Sequence, residues 1–156
     1  MGEFASTVQA RLRDRLAESL PTFSWQTEHR IAGTPVDVAG ASDDHIIIVE
    51  LEWRRADPAD NTAKLFRHLS TDRIVRSRVT VAQVFTAYYD LKGDGVSSKR
   101  KNAEFVGRTA SETIDRLSYH PVDFALTPPK RGGDWPDDWK QAADQTAERI
   151  DACIDG

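Results

Sequence analysis

A single cysteine, Cys153, stands among 156 residues, so no intramolecular disulfide can form and no zinc site can be built on cysteines. It falls at helical spacing near the end of the chain, which suits a small buried apolar residue, and such cysteine usage fits a reducing cytoplasm. Long hydrophobic runs are missing as well. The longest, Ile46–Val49, is far short of the roughly 18 residues that a membrane-spanning helix needs, so no membrane partner is expected. Met1–Ser19 carries charges throughout and has no apolar segment of the kind that marks a secretory leader. A cytoplasmic location is therefore the expectation.

A strong charge of one sign is also absent. Lys and Arg number 21 against 25 Asp and Glu, a net charge of −4, which argues mildly against a large nucleic-acid footprint. The average conceals an asymmetry. Residues 54–78 hold seven Lys or Arg against three acids, whereas 134–156 hold seven acids against two bases. One stretch could meet a polyanion while the tail keeps the protein soluble. The length favours one domain with a real core, and no internal repeat or low-complexity linker divides it.

Hydrophobic periodicity then orders the elements. Phe4, Val8, Leu12, Leu16 and Leu20 recur at i+4, which predicts an amphipathic helix that stops at Pro21. Residues 25–32 and 34–39 read as short strands with Gly33 between them, and 45–53 as a third. Asp57-Pro58 marks a helix start, with Leu65, Phe66 and Leu69 as its apolar stripe. Val79–Tyr89 is β-branched and aromatic enough for a central strand. A helix over about 101–117 would use Phe105, Val106, Thr109, Ile114 and Leu117, followed by a strand at Val122–Leu126. Asp134 would begin a last helix with Trp139, Ala143, Thr146, Ile150 and Cys153 on one face. The order α-β-β-β-α-β-α-β-α predicts an α/β fold, a three-layer α/β/α arrangement around a mixed sheet.

The third strand poses the chemical question. Side chains alternate across a strand, so Ile47, Val49, Leu51 and Trp53 share one face, and Ile46, Ile48, Glu50 and Glu52 share the other. That second face changes from hydrocarbon to carboxylate halfway along. A turn centred on Asp43-Asp44 sets an antiparallel register that places Asp37 directly opposite Glu50, with Cβ atoms about 4.5–5.5 Å apart. The neighbours Val36 and Val38 would point the other way. Like charges so placed are destabilising unless a proton, a nearby Arg or a divalent cation compensates. Mg²⁺ suits the last role, being held by one or two carboxylates plus substrate phosphate. A wet sheet end with solvated carboxylates is the bland alternative.

Asp37, a gap of twelve residues, then Glu50-Leu51-Glu52 on a hydrophobic strand resembles the PD-(D/E)XK, or restriction-endonuclease-like, nuclease superfamily. The order α-β-β-β-α-β over residues 4–89 resembles its core too. The resemblance implies a single restriction-endonuclease-like domain over 1–156, with its core at about 4–90 and a C-terminal elaboration at about 91–156. It implies a metal-dependent endonuclease acting on nucleic acid, with DNA the leading expectation, in which Asp37, Glu50 and Glu52 bind Mg²⁺ or Mn²⁺ and activate water. Two departures stand out. Val36 separates Pro35 from Asp37, and Glu52 occupies the place of the usual Lys. Lys64, on the following helix, is the expected replacement. It forms a stripe with Asn61 and His68, within about 60° on a helical wheel, at the edge of the buried face, where a Lys can send its head toward the carboxylates.

Other residues fill out this expectation. Arg54, Arg55 and Arg67 would neutralise phosphates, with Asn61 orienting the cluster, because phosphate contacts supply most nucleic-acid affinity. Lys99-Arg100-Lys101 forms a second basic cluster that could touch a backbone. Glu28 is a candidate fourth metal ligand, and His29, His45 and His120 read as surface or turn residues. Trp135 and Trp139 read as core or cap packing. A nuclease this small would be expected to cut a duplex as a homodimer. Two rivals remain: a catalytically inactive member of the fold serving in nucleic-acid binding or assembly, and a different α/β hydrolase or phosphatase with three carboxylates on a sheet edge.

Overall fold

The computed structural model describes residues 2–71 and 73–154. Its elements run α1 (Glu3–Ser19), β1 (Ser24–Ile31), β2 (Thr34–Ala41), β3 (His45–Glu52), α2 (Pro58–Ser70), β4 (Arg78–Thr86), a 3₁₀ turn (Ala87–Tyr89), α3 (Ser98–Thr113), β5 (Leu117–Phe124) and α4 (Trp139–Ile154). The five strands lie in chain order in one mixed sheet. β1–β2 and β2–β3 are antiparallel, and β3–β4 and β4–β5 are parallel. Parallel neighbours need a crossover, which α2 and α3 supply. Those two helices cover one face of the sheet while α1 and α4 cover the other. The result is the expected three-layer α/β/α fold.

Local chemistry explains the tight connections. Ala32 and Gly33 both have positive φ, at 50° and 82°, as a two-residue type I′ hairpin requires. Between β2 and β3 the N–H of Ser42 donates to the His45 carbonyl at 2.8 Å, closing the turn over Asp43-Asp44. In α1, Phe4, Val8, Leu12 and Leu16 are all buried against the sheet, and Pro58 occupies the first turn of α2. Ile47, Val49 and Leu51 pack beneath α1 and α4, and Ile46 and Ile48 beneath α2 and α3. The alternation along β3 is thus realised as two cores, one on each side.

The second half of the chain departs from its periodicity. α3 begins at Ser98 and ends at Thr113, and β5 starts at Leu117, five residues before the expected strand. Leu117 and Tyr119 pack on one face of β5, and Val122 and Phe124 on the other. The period-2 signal was broken in the sequence by Pro121, which an edge strand tolerates because its missing N–H faces away from the ladder. Phe105, expected on the buried face of α3, is 70% exposed. α4 begins at Trp139 rather than Asp134, since Gly132, Gly133 and Pro136 keep the preceding segment irregular. His45 is buried rather than superficial, with its Nε2 2.8 Å from Thr80 Oγ. Cys153 is only partly buried, and its Sγ donates to the Arg149 carbonyl at 3.2 Å.

At Gly107 of α3 the helix lies close against the Tyr119 ring of β5. A Cβ there would lie 2.3 Å from the Tyr119 ring. Gly107→Ala is therefore expected to lower stability by about 1–3 kcal/mol through overpacking, despite the roughly 1 kcal/mol that alanine gains in an open helix. Thermal melting would show it, and a rise in Tm would mean that Tyr119 moves aside freely.

Candidate metal and phosphate site

The site forms where the β2–β3 ladder ends. Backbone pairing runs from Ala41↔Ile46 to Val38↔Val49, the register set by the Asp43-Asp44 turn. One step further would bring Asp37 opposite Glu50, and there a side chain replaces the ladder. The Leu51 N–H donates to Asp37 Oδ2 at 2.7 Å, and Gln9 Nε2 donates to Asp37 Oδ1 at 2.9 Å. Asp37 is held from β3 and from α1 together. The expectation that Val36 and Val38 share a side needs correction. Val38 packs in the core under α1 and α4, and Val36 in the core under α2 and α3. Across the β1–β2 ladder, Glu28 falls between the pairs Thr27↔Val38 and His29↔Val36, facing Asp37. Its φ is +54°, a conformation that costs a non-glycine residue of order 1 kcal/mol. The regular pairing of β2 is thus interrupted at Asp37 on both sides.

The electrostatics follow from burial. Asp37, Glu50 and Glu52 are all buried, and burial is the main reason that all three carboxyls titrate above the usual range. The Leu51 N–H opposes that shift at Asp37. Glu50 is raised furthest, well above the ordinary value, because the charges of Asp37 and Glu52 add to its burial. The contact between the two carboxyls lowers Asp37 and raises Glu50. Arg55 favours the ionised form of each of the three. One of the compensations open to the sequence, an arginine, is therefore built in, and burial favours the second, a proton.

Glu52 has a different environment. Its Oε1 accepts from Asn61 Nδ2 at 2.7 Å and from Gln83 Nε2 at 3.1 Å. Its Oε2 is buried without a hydrogen bond, 3.7 Å from Arg55 Nε. Gln83 also donates to the Pro58 carbonyl at 3.1 Å and accepts from the Tyr119 hydroxyl at 2.5 Å. Glu52 thus faces a polar pocket between α2 and β4 rather than the cleft. Among the described residues, no three His, Cys, Asp or Glu side chains form a group that could hold a metal ion. The expected ligand set of Asp37, Glu50 and Glu52 is not assembled as a triad, because the third carboxylate is held by α2 and β4.

Asp37 and Glu50 line a cleft of about 1210 Å³, together with Glu28, Arg54, Arg55 and Lys64. Lys64 is exposed on its wall, and Asn61 lines the cleft while donating to Glu52. Arg67 does not line it. Nor does the second basic cluster offer three free cations. Arg100 is buried in ion pairs with Glu104 (2.9 Å) and Asp123 (2.6 Å), over the Phe85 ring. Several contributors escaped the sequence. Gln9 and Gln83 each interrupt an apolar pattern, a signal that was there to be read. Lys130, Arg131 and Trp135 also line the cleft, and nothing in their local sequence placed them there. Compared with models of known protein families and with curated proteins, the sequence gives no match.

Proposed function

We propose that this protein is a metal-dependent nuclease of the restriction-endonuclease-like kind, hydrolysing phosphodiester bonds of nucleic acid. One observation carries the reading: two buried carboxyls, Asp37 and Glu50, lie in contact at a sheet end and open into a cleft that Arg54, Arg55 and Lys64 line. A protein without use for a cation there would be more stable with an amide in one position. The element order α-β-β-β-α-β agrees with the resemblance. The two carboxylates suffice for Mg²⁺ or Mn²⁺, which typically takes one or two from the protein and fills the rest with water and phosphate. The bound ion would supply a Lewis acid for the phosphate and lower the pKa of a water.

The chain's own residues have distinct tasks in this reading. Asp37 is fixed by Gln9 and Leu51, so its free lone pairs are aimed before any ion arrives. Glu50, in its ionised form, would hold the ion beside Asp37. Lys64 stabilises charge that develops on the phosphate, as a point charge on a flexible stem. Glu52, with Asn61 and Gln83, anchors α2 against the sheet and so sets where Lys64 stands.

The test is calorimetric titration of the wild type with Mg²⁺ and Mn²⁺, beside cleavage of single-stranded and of plasmid DNA with and without chelator. Binding with chelator-sensitive nicking supports the reading, and a protein that binds neither ion even with DNA present overturns it. Lys64→Ala is expected to slow nicking by about 10²-fold while leaving metal affinity within twofold. An unchanged rate would remove Lys64 from the site. A preference for phosphomonoesters would favour the phosphatase rival.

A further inference from the structure

The cleft has a second wall that belongs to the C-terminal half of the chain. Between β5 and α4, residues Lys130–Gly133 form a tight turn in which the Gly133 N–H donates to the Lys130 carbonyl at 2.7 Å. Gly132 stands at φ +78°, as the third position of a type II turn requires. The turn presents Lys130 and Arg131 to the cleft. Arg54 joins the two walls, its Nη1 donating to the Pro129 carbonyl at 3.4 Å.

Aromatic side chains flank these cations. Trp135 lines the same cleft and is 38% exposed, with one face stacked on Phe4 (centroids 4.6 Å apart, planes 21° apart). Trp139, four residues on, packs against the core as expected, so the two tryptophans differ. Tyr88 is 42% exposed, with Arg54 and Lys99 over its ring at 5.7 and 5.9 Å. Arg54 is shared by the cleft and by Tyr88. The track therefore runs from Trp135 through Lys130, Arg131 and Arg54 to Tyr88 and Lys99.

We infer that this track binds a single-stranded stretch of nucleic acid, its phosphates held by the cations and its bases stacked on Trp135 and Tyr88. Cations set between exposed rings are what unpaired strands need, because every unpaired base offers a π-face. A duplex hides those faces in its own stack and would leave both rings without use. The inference deepens the nuclease reading and rests on it for the identity of the cleft. It narrows the substrate to a strand, overhang or flap.

The test measures binding separately from cleavage. Acidic groups such as Glu28, Asp57 and Asp60 also line the cleft, so a divalent cation belongs in the buffer. Fluorescence anisotropy would compare a labelled single strand of about 12 nucleotides with the matching blunt duplex, in Ca²⁺ at low salt. The single strand is expected to bind at least about tenfold more tightly than the duplex. Trp135→Leu, which keeps an apolar contact for Phe4, should weaken it by roughly 5- to 150-fold. Tyr88→Leu provides an independent variant should the first fail to fold. Lys130→Ala with Arg131→Ala should reduce the slope of log affinity against log salt by about 1.4. Equal or tighter duplex binding overturns the inference, as do unchanged affinities in both ring variants or no binding of either probe. Strand binding without cleavage in Mg²⁺ or Mn²⁺ would keep this track and remove the catalytic reading. Duplex cleavage indifferent to Trp135 would do the reverse.

Discussion

Glu50→Gln is expected to abolish cleavage and yet raise the melting temperature of the metal-free protein at pH 8. Both effects stem from one buried carboxyl. Glu50 sits in contact with Asp37 and within the field of Glu52, and its proton affinity is raised well above the ordinary value. The folded state thus binds a proton that the unfolded state releases near pH 4.3. Stability from this group is fully present below that pH and is lost as pH rises through the raised folded-state value. The amide imitates the protonated form at every pH and can still donate to Asp37. The gain of the variant over wild type should be near zero at pH 4 and grow to about 1–3 kcal/mol at pH 8, roughly 2–10 °C for a chain of this size. Nicking should fall by about 10³-fold or more, since the ion's contribution amounts to several kcal/mol.

Mg²⁺ provides the internal control. In the nuclease reading it would take the proton's place in wild type, so its stabilising effect should be larger at pH 8 than at pH 5, and it should leave Glu50→Gln unmoved. A variant that melts below wild type at every pH would show that the ionised carboxylate is stabilised by the fold. A variant that still binds Mg²⁺ and cuts would remove Glu50 from the site.

Gln83→Leu is expected to cause the largest loss of stability. Gln83 is fully buried in β4, and its amide makes three hydrogen bonds to groups that have little other recourse. Removing it leaves Glu52 with Asn61 as its hydrogen-bond donor and Arg55 at 3.7 Å, and leaves the Pro58 carbonyl and the Tyr119 hydroxyl without this partner. Breaking such a buried charged network typically costs about 3–5 kcal/mol, some 6–20 °C here. Combining it with Glu52→Leu should recover part of the loss, because the orphaned charge goes with it. A single variant that melts within about a degree of wild type would show that water or Arg55 satisfies Glu52 unaided.

The two substitutions separate what can be read from a sequence from what cannot. The contact between Asp37 and Glu50 was legible, because a two-residue turn fixes an antiparallel register and a period of two assigns every side chain on β3 to a face. The same logic located α1, α2 and the layered fold. It faltered at β5, where Pro121 masked the alternation, and at Phe105, whose helical spacing matched a face that the neighbouring layer leaves open.

Glu52 shows the limit most clearly. Alternation along β3 puts it on the same face as Glu50, and chemistry by type makes it a third ligand. The fold turns its carboxylate instead toward Asn61 and Gln83, one from α2 and one from β4. Gln9 reaches Asp37 from across 28 residues, and Lys130, Arg131 and Trp135 enter the cleft from beyond β5. By itself the sequence determined the order of the elements, the faces of β3, the β2–β3 register and the pair of carboxyls, because each depends on neighbours a few bonds or one turn away. Only the tertiary structure decided which carboxylate faces the cleft, which amides hold the other in place, and which basic loop closes the opposite wall. Those depend on where whole layers come to rest against each other, and local periodicity carries no information about that.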